Sequence, residues 1–190
     1  QFHYKQIEGG FTQPNAYINQ AMLSWARSCS EESQGDLLEL YCGNGNFSIA
    51  LADKFRRVFA TEISKTSVRA AFDNKEMNQL DNINFARVSA EEFTAHMSGQ
   101  RLRRRLQDMD LENANFGTVL VDPPRSGLDE DSCKMISQYP NIIYISCNPE
   151  TLEENLKVLS QTHDIQRFAM FDQFPYTHHI ECGVYLVKKT

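Results

Sequence analysis

At 190 residues, with 41% hydrophobic and 23% charged side chains, the chain has the size and composition of one globular domain with a sizeable core. No apolar run nears the roughly 20 residues needed to span a bilayer, and no secretory leader is visible. A formal net charge of -6 argues against broad binding to nucleic acid through phosphate neutralisation alone.

In chain order, apolar residues at helical spacing (Ile18, Met22, Leu23, Trp25, Ala26) predict a helix over Ala16 to Ser28. Asp36 to Tyr41 reads as a strand and Phe47 to Lys54 as a helix. A strand at Arg57 to Ile63 and a helix at Lys65 to Met77 follow. Ile83 to Val88 is a third strand, with a short helix from Ala90. Gln100 to Asn115, rich in Arg, Asp and Asn, breaks the rhythm and reads as a surface insertion with a partial helix. Phe116 to Val121 is a fourth strand, and Asp129 to Gln138 a helix. Ile142 to Ser146 is a fifth strand, and Pro149 to Gln161 a helix. Strands near Ile165 to Phe171 and Gly183 to Lys188 close the chain. Alternating β and α elements with short connections imply an α/β, Rossmann-like fold with a mostly parallel seven-stranded sheet. No helix separates the final two strands, so the last is expected to run antiparallel.

Five cysteines, with no C-x-x-C pair, suit neither a disulfide framework nor a zinc site. They fit a reducing compartment, so a cytoplasmic location is expected. The histidines do not cluster with cysteines at ligand spacing, and no metal is expected. The run Arg101 to Arg105 reads either as a solvated helix face or as a local phosphate contact.

Four strand ends carry the chemistry. Glu39-Leu-Tyr41-Cys-Gly43-Asn-Gly45-Asn46-Phe47 closes the first strand with a Gly-x-Gly turn, where the backbone turns tightly and approaches a ligand. A dinucleotide site is the competing reading, but Ser48 stands where its fingerprint has a third glycine. Glu62 ends the second strand about 20 residues on, where an acid binds ribose hydroxyls of an adenosine-type ligand. Asp122-Pro-Pro-Arg125 ends the fourth strand, and successive prolines hold Asp122 and Arg125 at the mouth of the site. Enzymes that methylate exocyclic nitrogens carry an aromatic where Arg125 stands, which points away from that chemistry. The fifth strand stops at Ser146-Cys147-Asn148-Pro149, just before a helix. A thiol there sits where open α/β sheets bind ligands, and the helix amino terminus is expected to favour its thiolate. The other reading of Cys147 is a small buried core residue.

Together with Phe11-Thr-Gln13-Pro-Asn15 and Asp172-Gln-Phe-Pro-Tyr-Thr-His-His-Ile-Glu181-Cys182, these segments resemble the catalytic domain of the RNA uracil-C5 methyltransferases. The resemblance runs through essentially the whole chain, and the Gln-Pro-Asn and Tyr-Thr-His-His spellings are those of the tRNA branch. It implies a class I S-adenosylmethionine-dependent methyltransferase over residues 1–190, acting on the T arm of tRNA. S-adenosylmethionine would be contacted by Gln13, Tyr41, Gly43, Asn46, Glu62 and Asp122. Cys147 would be the nucleophile and Glu181 the base. Phe11 and Arg125 are candidates for holding the RNA, while Phe11, Phe174 and Tyr176 could each stack on a base or pack in the core. The family's amino-terminal RNA-contacting portion is not found here and the chain begins at Gln1, so it is expected to be the carboxy-terminal part of a longer protein. No membrane or obligate protein partner is implied. A ribosomal RNA substrate with the same chemistry, and a nicotinamide-dependent oxidoreductase, are the alternatives.

Overall fold

The computed structural model describes residues 1–8, 11–100, 104–107 and 109–190. The elements in order are α1 (Ala16–Cys29), β1 (Asp36–Leu40), α2 (Asn46–Leu51), β2 (Val58–Thr61), α3 (Lys65–Met77), β3 (Ile83–Ala86), α4 (Ala90–Met97) and α5 (Arg104–Gln107). They continue with β4 (Phe116–Val121), α6 (Glu130–Ile136), β5 (Asn141–Ser146), α7 (Pro149–Leu159), β6 (His163–Phe171) and β7 (Glu181–Lys188). Among the described residues, seven strands form one sheet in the order β3-β2-β1-β4-β5-β7-β6. β1 to β5 pair in parallel, and β7 runs antiparallel to both β5 and β6.

Both faces of this sheet are covered, which is why its central strands are mostly apolar rather than alternating. Alternate residues serve opposite layers. Val119, Val121, Ile142 and Tyr144 face the layer containing Phe93 of α4, Ile136 of α6 and Leu152 of α7. Leu120, Ile143 and Ile145 face Met22 and Ala26 of α1 and Phe47 and Ile49 of α2. The helices start where side chains satisfy their first free N–H groups. Asn15 caps α1, Ser64 caps α3, Asp129 caps α6, and Ser89 with Glu92 forms a reciprocal capping box on α4.

The segment from Gln100 to Asn115 is only in part the surface insertion that its polarity suggests. Leu106 and Met109 are buried in the main core, so the segment closes the layer beside α4 and α6. Of the basic run, Arg101 and Arg103 lie outside the described residues. Arg104 and Arg105 are exposed, and Arg105 donates to the Arg87 carbonyl at 3.1 Å.

At the amino-terminal ends of the strands, Asp36 is fully buried and accepts hydrogen bonds from Arg56, Arg57 and the Asn115 backbone, which hold its carboxyl below the usual carboxylate range against the opposing effect of burial. Nearby, a Cβ on Gly117 of β4 would overlap the Gln34 backbone oxygen. A carbonyl cannot rotate away as a side chain can. Gly117→Ala is therefore expected to cost about 1–3 kcal/mol through overpacking, read as a lower urea midpoint with an unchanged slope, while the opposite end of the sheet keeps its geometry.

Candidate active site

A cavity of about 1320 Å³ opens at the carboxyl ends of β1, β2, β4 and β5. Its floor is the β1–α2 turn. Gly43 and Gly45 both have positive φ, of 56° and 83°. A Cβ on Gly43 would meet nothing within 4 Å, so bare backbone faces open space, as a cradle for a ligand requires. Tyr41 also adopts a left-handed conformation, with φ 63°. Strain at a non-glycine residue is a mark of functional turns.

The turn is held from several sides. Glu62, at the end of β2, accepts from the Gly43 N–H at 3.1 Å and the Ser64 N–H at 2.7 Å. Both carboxylate oxygens are thus fixed, with lone pairs left for ribose hydroxyls. Asn46 and Asn19 of α1 exchange amide hydrogen bonds at 2.8 and 3.0 Å. Fully buried Asn74 of α3 donates to the Asn44 carbonyl at 2.9 Å and accepts from the Lys5 N–H at 2.6 Å. Tyr4 donates to the Asn46 carbonyl at 2.9 Å. The segment before α1 therefore forms a wall of the cavity, to which Phe11 and Gln13 contribute.

Asp122 follows β4, half-buried and facing the cavity. The Pro-Pro-Arg turn beyond it is strapped to α7. Asn148 Nδ2 and Thr151 Oγ1 donate to the Arg125 carbonyl at 2.9 and 3.2 Å, and Asn155 binds both backbone groups of Leu128. The exposed Arg125 side chain lines the cavity mouth.

The decisive geometry lies between β5 and β7. Their antiparallel register pairs Asn141 with Val187 and Ser146 with Cys182. One step further along each strand, Cys147 comes opposite Glu181, and both line the cavity beside Asp122. Glu62, Asp122, Glu181 and the Cys147 thiol thus line one cavity. Burial pushes the Glu181 carboxyl up to about 7, and burial with the Glu181 charge pushes Asp122 up to about 8. Beneath the glycine turn, fully buried Glu39 is raised to about 8 by burial, with Asp122 and Glu62 adding to it, although Ser48 donates to its carboxylate. Among the described residues, one oxygen of Glu39 and one of Glu181 have no hydrogen-bond partner.

The Cys147 thiol departs from its sequence-based expectation. Burial and the charges of Glu181 and Asp122 raise its pKa, outweighing Arg125 and the backbone N–H. Burial leads that upward shift, so the helix start at Pro149 does not by itself bring the Cys147 thiol below its ordinary value. Cys147 is nevertheless the half-buried one of five free cysteines; the other four are buried.

The remaining aromatic candidates separate. Phe11 is exposed at the cavity wall, and Phe174 is half-buried there, packed edge-on to His179 at 5.9 Å. Tyr176 is fully exposed with φ 66° and belongs to neither core nor cavity wall. Sequence reasoning missed Asn19, Asn74 and Gln173, whose amides are ordinary in type and gain meaning only through their partners. Glu39 left a trace, an acid inside an apolar strand.

Alkylation of Cys147 is expected to have its pH midpoint above the ordinary thiol value of about 8.5. Glu181→Gln removes a negative neighbour, so it should move that midpoint downward; iodoacetamide labelling followed by mass spectrometry over a pH series reads both.

Comparison with known proteins meets this geometry. The family model described as tRNA (Uracil-5-)-methyltransferase matches residues 1–189. A tRNA/tmRNA (uracil-C(5))-methyltransferase of Aliivibrio fischeri is 61% identical over 188 residues, covering 98% of this chain and 51% of the relative. One from Vibrio vulnificus is 59% identical over 190 residues, covering 99% and 52%. The chain thus spans about half the length of these curated relatives. The crystal structure of Pyrococcus abyssi tRNA (uracil-54, C5)-methyltransferase in complex with S-adenosyl-L-homocysteine superposes with a TM-score of 0.76 at 26% identity, covering 98% of this chain and 44% of that one. A precorrin-6y C5,15-methyltransferase of Geobacter metallireducens, 12% identical with a TM-score of 0.67, shares the fold over 98% of this chain and 94% of its own. Glycine turn, strand order and the antiparallel β7 make this the fold of the class I methyltransferases, and the match across nearly every residue makes the chain a member of the tRNA (uracil-5-)-methyltransferase family.

Proposed function

We propose that this domain carries out S-adenosylmethionine-dependent methylation of uracil C5 in tRNA, at the T-loop uridine. Family membership supports the reaction class and sets aside the nicotinamide-dependent alternative. The P. abyssi relative is named for uracil-54, which supports the T-loop position. The observation that carries the mechanism is the β5–β7 register, which brings a thiol and a buried carboxylate together at the cavity.

The cavity fits the cofactor. Its open glycine turn suits close approach of an adenosine group, and its acidic lining (Glu62, Asp122, Glu181) suits a ligand with a positive centre. Glu62 and Gly43 would hold the ribose side, with Tyr41, Asn46, Asp122 and Gln13 around the rest. When bound, S-adenosylmethionine supplies a methyl group on a sulfonium, ready for attack by carbon.

Uracil C5 is too weak a nucleophile to take that methyl unaided. Cys147 adds through sulfur to C6, which places an electron pair on C5 and the C4 oxygen. C5 would then take the methyl group that the bound donor would supply, the donor's sulfonium sulfur keeping the bonding pair and becoming a neutral thioether. Glu181 then takes the C5 proton, and the C5–C6 double bond reforms as the Cys147 sulfur departs. One nucleophile and one separate base split a difficult substitution into accessible steps. Burial and the neighbouring carboxylates raise the Cys147 thiol, so its proton passes to solvent at the cavity before the sulfur adds to C6. Stacked uracil hides C6, so the base must leave the stack; Phe11 offers an exposed ring and Arg125 a cation at the entrance.

RNA of the T arm carrying 5-fluorouridine, incubated with the domain and S-adenosylmethionine, is expected to form a denaturation-resistant adduct, since fluorine cannot leave as a proton does. Cys147→Ala should abolish that adduct, and an adduct persisting in the variant refutes the nucleophile. With ordinary RNA, Glu181→Gln should lower turnover by about 10²–10⁴-fold, the usual range for loss of a general base. Glu181 accepts a proton only when ionised, and its carboxyl is raised to about 7. Wild-type turnover should therefore climb as pH rises through about 7, and this limb should vanish in Glu181→Gln.

A further inference from the structure

Gln173 lies just after β6 on the chain leading to Glu181, and its side chain is buried. Its Oε1 accepts the Asn15 backbone N–H at 3.1 Å. Its Nε2 donates to Gln13 Oε1 at 2.8 Å and points at the Met22 sulfur at 3.4 Å. A backbone N–H can only donate, and a thioether sulfur can only accept. These two neighbours therefore dictate which end of the Gln173 amide is oxygen and which is nitrogen. The polarity passes on: Gln13 must turn its oxygen toward Gln173, so its NH2 group is left for the cavity it lines. Among the described residues that NH2 has no partner. The reverse arrangement would set N–H against N–H at half-buried Asn15 and leave both unbonded.

We propose that Gln173 is a positioning residue that fixes the polarity of the Gln13 amide, so that Gln13 presents N–H donors and selects the carboxylate at the amino-acid end of the cofactor. This rests on the preceding reading that Gln13 belongs to the cofactor site. At that end the cofactor carries one donor, its ammonium, and one acceptor, its carboxylate. A donor-presenting Gln13 pairs with the second and not the first. The same buried amide anchors the wall before α1 to the β6–β7 connection.

Isothermal titration of the full chain with S-adenosylhomocysteine, and with its decarboxylated analogue, tests this. The wild-type chain should prefer S-adenosylhomocysteine, and Gln13→Ala should cut the preference roughly tenfold, the scale of one hydrogen bond to a charged group. Gln173→Leu and Gln173→Glu should each cut it by a similar factor while affinity for the analogue stays within about twofold. Combining Gln13→Ala with Gln173→Leu should add nothing further. Preference retained in Gln173→Leu but lost in Gln13→Ala overturns the positioning role and leaves the site assignment standing. Loss in Gln173→Glu alone ascribes the effect to the added charge and overturns it too. Equal weakening of both ligands marks Gln173 as merely structural. An unchanged preference in Gln13→Ala removes Gln13 from the cofactor site, and the proposal falls with it, while the Cys147 adduct is unaffected by that result.

Discussion

The antiparallel pairing of β7 with β5 is the constraint on which the site depends. In a wholly parallel sheet, the strand beside β5 would present its carboxyl end at the cavity and its start at the opposite rim. Reversal brings the first residue of β7 to the cavity instead, and that residue is Glu181. Period-2 geometry makes the pairing strict: a slip of one residue would turn every side chain of β7 to the other face. Val184 and Leu186, buried in the core, guard against that slip. The placement of Cys147 and Glu181 at the cavity and the packing of the sheet are thus secured by the same hydrogen-bonded ladder.

Crowding acids around the cavity has a consequence that no single residue reveals. Glu39, Asp122 and Glu181 are each raised, with burial the leading cause in every case. A carboxyl near neutrality can take a proton and release it within one turnover, which is what a general base requires. Burial, with the charges of Glu181 and Asp122, raises the Cys147 thiol as well. Burial is thus the leading cause at both Glu181 and Cys147. Amide side chains supply the rigidity that charges could not supply without adding to the repulsion: Asn19, Asn74, Asn148, Asn155 and Gln173 fasten the glycine turn, the Pro-Pro-Arg turn and the segment before α1.

Order of elements, sheet type and the strand-end motifs were legible along the chain because each depends on local pattern. Mostly apolar strands of five or six residues, β1, β4 and β5, are largely buried. Lys65–Met77 and Phe116–Val121 begin and end where caps and periodicity place them. The edge strand β6 was harder: its residues are mostly exposed, so its apolar signal begins at Ile165 while pairing already starts at His163. The Gln100–Asn115 segment misled because its polar composition masks Leu106 and Met109, two residues whose burial depends on the helices beside them.

Residue types and spacings alone were enough for a glycine turn, an acid ending the second strand, a strand-end thiol and the family they jointly resemble. A chain read linearly cannot say that Cys147 and Glu181, separated by a helix and a strand, stand opposite each other, since register is a property of two strands and not of either. Nor could it give the direction of the Cys147 pKa, which follows from carboxylates arriving from β4 and β7 rather than from the helix next in sequence. Local conformation is encoded in neighbours along the backbone; electrostatics and hydrogen-bond polarity are set by neighbours in space, and these exist only once the sheet has closed.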